Sequence, residues 1–92
     1  MITLQQAEAR VALGAYLLDI SATGWRDRVN PGTLLTQSGA RCPLGQTYGS
    51  YFAGIKALGL DAQLASELGF FSEEREDYPK LDMAWGRELA GV

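Results

Sequence analysis

Apolar residues recur along this chain every three to four positions, and nowhere do they alternate for long enough to make a strand. The clearest stretch is Cys42 to Leu58, which the spacing predicts as one helix of about four turns. Pro43 suits its first position, where no backbone donor is missed, and Gly59 suits the left-handed residue past its end, with Leu60 closing over the last turn. On that helix Leu44, Tyr48, Tyr51, Ile55 and Leu58 share one side, with Phe52 at its edge. The tyrosines and Phe52 are therefore expected in the core. The other side carries Gly45, Gly49, Ala53 and Ala57, small enough for a second backbone to come close. That face is expected to receive a helix of the same chain or, failing that, one from a partner.

Two further long helices flank this one. Thr3 and Gln6 form a capping box, in which each side chain satisfies a free donor at the helix start. The stripe Leu4, Ala7, Val11, Ala15 and Leu18 follows. Leu13, Tyr16, Leu17 and Ile20 add apolar groups on the opposite side, so the second half should be buried almost all round, while Gln5, Gln6, Glu8 and Arg10 keep the first half wet. The last helix starts near Pro79, with Tyr78, Leu81, Trp85 and Leu89 on one face. Between them lie shorter pieces. Trp25 to Val29 reads as one helical turn, and Asn30-Pro31-Gly32 as a turn or the start of a short helix through Leu35. Gln37 to Arg41 reads as a polar loop. Asp61 caps a short helix through Leu68 that Gly69 stops. Phe70 and Phe71 are too apolar to stay in water together, and Ser72 to Asp77 is a charged, solvated connector. The expectation is an all-α fold: a compact bundle of three main helices with one or two short ones, forming one domain over residues 1–92.

Composition changes this little. The 47% apolar and 21% charged shares are those of an ordinary soluble globular protein. No basic segment leads into an apolar run at the start, and no stretch is apolar enough to span a bilayer, so no membrane association is expected. One cysteine leaves no internal disulfide and suits a reducing, cytoplasmic setting. Charge is uneven: residues 1–60 carry net +2, and residues 61–92 carry net −5. A chain of net charge −3 is a poor candidate for holding nucleic acid by charge alone.

Two segments together support a resemblance. Gly24-Trp25-Arg26-Asp27-Arg28-Val29 fits a G-W-x-x-x-[VI] pattern, and Cys42 to Tyr51 fits C-x-L-G-Q-x-[YF]-G-x-[YF]. With Tyr78-Pro79-Lys80-Leu81-Asp82-Met83-Ala84-Trp85 as a terminal Y-x-x-L-x-x-A-W helix, the chain resembles small uncharacterised proteins of actinobacteria and their phages over about Leu17 to Leu89. The resemblance implies an actinobacterial or phage cytoplasm, and no activity.

Catalytic chemistry finds little footing. Histidine is absent, which removes the usual general base near neutral pH and the common nucleophile dyads, and one cysteine cannot build a zinc site. No metal and no cofactor are expected, and no enzyme. Cys42 is the one nucleophile to consider, beside Arg41 at a helix start that could lower its pKa. The plainer role is a small hydrophobe that caps or packs the helix. Gly39 to Thr47 lacks the lysine of a phosphate loop, and Pro43 withholds one of its donors.

Asp61 to Phe70 resembles the first half of a helix-turn-helix. The second helix would fall on Ser72 to Tyr78, whose acids are wrong for a groove lined by phosphates. Trp25 with Arg26 and Arg28 is the best candidate for an exposed contact with a partner, because Trp and Arg are favoured interface anchors. Its alternative is that Trp25 closes the bottom of the core while the two arginines are simply solvated. The expected function is a non-catalytic protein–protein interaction module, a phage accessory protein engaging a host protein being one form of it. The alternative is a regulator linked to nucleic acid, directly or through a transcription complex.

Overall fold

The computed structural model describes residues 1–91, all of them in helices, turns and loops. Helix α1 spans Leu4–Ser21 and starts on the expected capping box: Thr3 Oγ1 accepts from Gln6 N, and Gln6 Oε1 accepts from Thr3 N. Its inward stripe is Ala7, Val11, Gly14, Ala15 and Leu18. A single turn, α2 (Trp25–Arg28), follows, then a loop organised by Asn30, whose side chain accepts from Gly32 N at 2.8 Å. Helices α3 (Pro43–Tyr48), α4 (Tyr51–Leu58) and α5 (Ala62–Glu67) come next, and a 3-10 turn at Arg75–Asp77 leads into α6 (Tyr78–Ala90).

The fold is all-α, with α1 and α6 forming its principal pairing. At the centre, Trp85 stacks on Phe70 at 5.5 Å and meets the Trp25 ring edge-on at 5.9 Å. Trp85 Nε1 donates to Gly69 O at 2.8 Å, so the buried indole is satisfied. The chain at Leu68–Phe70 crosses α1 closely enough that a Cβ on Gly14 would lie 2.1 Å from Leu68 O. Glycine is what permits that crossing.

Three expectations need correction. The long central helix is broken in two. Gly49 adopts φ +98°, its N–H closes on Gly45 O, and Ser50 Oγ caps the next helix by accepting from Ala53 N. A left-handed glycine followed by a serine cap satisfies the backbone groups freed at both helix ends. The second half of α1 is not buried all round: Leu13, Tyr16 and Ile20 face outward, because no other element among the described residues lies on that side.

The third concerns the 72–77 connector, which is not simply solvated. Ser72 and Asp77 are buried, and Asp77 accepts from Ile2 N at 2.9 Å and from Ser72 Oγ at 2.8 Å. Burial pushes the Asp77 carboxyl up. The Ile2 and Ser72 hydrogen bonds and the positive charge of Lys80 outweigh this and hold it below its ordinary value. Lys80 Nζ in turn donates to Ile2 O at 2.7 Å, so this end of α6 is clamped to the start of the chain.

Candidate binding cleft

Trp25 is 1% exposed. Its ring belongs to the tryptophan pair in the core, and its Nε1 donates to Asp19 Oδ1 at 2.7 Å. It is therefore not an exposed anchor; the reading in which it closes the core holds. Arg26 is committed within the chain as well: its guanidinium lies 4.8 Å from the Trp25 ring centre and pairs with Asp19 and Glu88, each at 3.1 Å. Hydrogen bonds from Arg26 and Trp25 hold the Asp19 carboxyl below its ordinary value. Arg28 remains on the surface, its Nη1 reaching Thr23 O at 3.5 Å. The three residues form an edge of the fold in which the aromatic is hidden and one arginine is occupied.

Gly45, Gly49 and Ala53 do not make one helix face, because the break at Gly49 turns α4 away from α3. A Cβ on Gly45 would fall 2.4 Å from Gly39 O, so this glycine admits the 39–40 loop rather than a helix. Gly49 serves as the left-handed cap and Ala53 is exposed. The close helix contact in this region is made by Gly54 instead, against Leu44 and Tyr48 of α3.

Cys42 is buried, and its Sγ accepts from Gly45 N at 3.2 Å as the cap of α3. Burial pushes the thiol pKa up, and the backbone donors of Gly45 and Leu44 offset only part of this. The helix start therefore does not yield an activated thiolate. Gln46, within the same motif, holds the preceding loop. Its Oε1 accepts from Asn30 N at 2.7 Å, and its Nε2 donates to Arg41 O at 2.9 Å.

What the break at Gly49 does create is a cleft. It has a volume of about 250 Å³ and lies between the 36–39 loop, the start of α4, Phe70–Phe71 and Tyr78. Tyr51 N donates to Gly39 O at 2.8 Å, fixing α4 to the loop, while Thr36 N donates to Asp82 Oδ1 at 2.7 Å, fixing the loop to α6. Tyr78 Oη donates to Ser72 O and accepts from Ser72 N, which sets its ring in the wall. Tyr51 and Tyr78 are half-buried, and burial pushes the Tyr51 phenol up, so it stays neutral.

Phe52, in edge contact with Tyr51 at 5.6 Å, stands 80% exposed at the rim. This corrects its assignment to the core. Thr36 Oγ1 is buried in the same neighbourhood with no hydrogen-bond partner among the described residues.

Phe71 and Tyr78 belong to this cleft and were not singled out from the sequence as binding residues. The available signal was the pair Tyr51-Phe52. Neighbours on a helix point about 100° apart, so of two adjacent aromatics one is easily left at the edge of the buried face. A second, larger cleft is bordered by Met1, Arg10, Glu67, Glu73 and Glu74, and its walls are as polar as they are apolar. Among the described residues no cluster of His, Cys, Asp or Glu could hold a metal ion, and no helix is long and apolar enough to cross a membrane. Comparison with protein-family models, with curated proteins and with solved structures finds no match to this chain.

Proposed function

We propose that this protein is a non-catalytic interaction module that captures one apolar or aromatic side chain of a partner protein in the cleft beside Phe52. The observation that carries this reading is a large aromatic ring standing 80% exposed on the rim of an aromatic-lined cleft. Burying such a ring on binding is worth about 1.5–3 kcal/mol, so leaving it in water is a cost that a docking role would offset. Size favours a single side chain over a cofactor. A cleft of about 250 Å³ falls below the roughly 300–1,000 Å³ of small-molecule sites. The lack of histidine and the capped, buried thiol also favour binding over proton-transfer chemistry. The resemblance to small actinobacterial and phage proteins supports a cytoplasmic setting, with a host protein as the partner of a phage accessory factor.

The test uses N-acetyl-phenylalanine amide and its alanine counterpart as probes. Aromatic NMR resonances of Tyr51, Phe52, Phe71 and Tyr78 should shift with the first and not with the second. Phe52→Ser should weaken that response at least tenfold and lose the main partner in a pull-down from an actinobacterial lysate. Retention of both by the variant would refute the site. Duplex DNA binding that collapses as salt rises would replace this reading with a nucleic-acid one.

A further inference from the structure

The outward side of α1 is a separate surface. Leu13 is 57% exposed, and Tyr16 and Ile20 are each 66% exposed; Ala9 is exposed on the same side. These four lie four, three and four residues apart, which is the a/d spacing of a two-helix seam. No charge interrupts them. The three charged residues of α1 are turned to its flanks and engaged by their own chain: Glu8 with Arg87 at 2.9 Å, Arg10 with Ser66 at 3.3 Å and Asp19 with Arg26 at 3.1 Å.

We propose that this face is a self-association surface, and that it pairs antiparallel with the same face of a second copy. Symmetry supplies the complementarity. In a two-fold antiparallel pair centred between positions 14 and 15, Leu13 meets Tyr16 of the second copy and Ala9 meets Ile20, so every layer sets a smaller side chain against a larger one. A parallel pair would set tyrosine on tyrosine and alanine on alanine, leaving layers of unequal width. Because each facing residue is uncharged, no like charges meet.

Leu13, Tyr16 and Ile20 expose about 350–400 Å² per copy, or about 700–800 Å² across the pair, and the alanines and glutamines beside them bring this near the roughly 1,000–1,200 Å² at which specific interfaces begin. The area sets the strength: a reversible dimer that forms as concentration rises.

Sedimentation velocity from micromolar to millimolar protein tests the proposal. The mean mass should climb from 10.0 kDa toward twice that value. Leu13→Glu and Tyr16→Lys should each hold the protein at monomer mass with an unchanged melting temperature in dilute solution, since both side chains face outward. Mixing the two variants should restore the dimer, because the antiparallel register sets the new glutamate against the new lysine and keeps one native Leu13–Tyr16 contact. A wild-type protein that stays monomeric throughout, or a dimer indifferent to either variant, would overturn the surface. Two disrupted variants that fail to recover on mixing would overturn the antiparallel register.

Discussion

Replacing glycine by alanine should change stability in opposite directions at Gly14 and Gly86, though both sit inside long helices. The helical term is the same at each: alanine gains about 0.8–1.0 kcal/mol over glycine in a helix interior. Surroundings decide the rest. At Gly86 the added methyl meets nothing within 4 Å among the described residues, so Gly86→Ala should keep the whole gain. At Gly14 the same methyl would lie 2.1 Å from Leu68 O and 3.2 Å from the tip of the Phe70 ring. Backbone cannot swing aside as a side-chain end can, so the Leu68–Phe70 crossing must move off α1, disturbing the Phe70–Trp85 stack.

Overpacking of this kind costs about 1–3 kcal/mol, and displaced backbone puts it at the upper end. Net of the helical gain, Gly14→Ala should lose about 1–2 kcal/mol. At about 4–8 °C per kcal/mol for a chain of this size, the two variants should melt on opposite sides of wild type, roughly 10–20 °C apart. Thermal and urea unfolding followed by far-UV circular dichroism would measure both. A Gly14→Ala protein as stable as Gly86→Ala would refute the close crossing and, with it, the packing of the core.

Other expectations follow from single contacts. Gly49→Ala should cost about 1–2 kcal/mol through its left-handed conformation alone, since the position is sterically open, and Gly49→Asn should cost less; equal losses in urea melts would argue against the break between α3 and α4. The folded pKa of Asp77 lies below its ordinary value of 3.8, so its contribution is full above that value and is lost as pH falls through the folded one; Asp77→Asn should be less stable at neutral pH and show a shallower acid loss in pH-dependent melts. Arg26→Glu should cost about 1–2 kcal/mol, by breaking two half-exposed pairs worth up to about 1 kcal/mol each, while Arg28→Glu should be neutral; equal melting temperatures would contradict the Asp19–Arg26–Glu88 network. Native Cys42 should alkylate slowly near neutral pH and quickly once unfolded, and rapid native labelling would contradict its burial.

Much of the helical framework was legible because its signals are local. The Thr3–Gln6 box, the Asp61 cap, Pro79 in the first turn of the last helix and the left-handed Gly59 each act within a few residues. The spacing of Leu81 and Trp85 likewise identified the buried side of α6. Even the break in the central segment has a local sign, a glycine followed by a serine cap at Ser50, which the continuous apolar stripe masks. The aromatic cleft depends on that break. Its walls come from residues 36 to 78, and only the fold brings them together.

What the sequence by itself determined, then, is where the chain is helical and which positions gain by leaving water. It could not determine which of those positions find a cover. Leu13, Ile20 and Phe52 are as apolar as Leu18 and Phe70, yet α6 and the 68–70 crossing reach only one side of α1, and none of the described residues lies over the rim of the cleft. Transfer free energy belongs to the side chain, but burial requires a neighbour, and the neighbours are set by tertiary structure. The same holds for polar groups. Asp77 sits in an acidic run that reads as solvated, and it is buried because Ile2, distant in sequence, arrives to donate to it. Trp25 lies beside two arginines, a pattern shared with interface anchors, and is buried because it packs against Trp85 in a T-shaped pair.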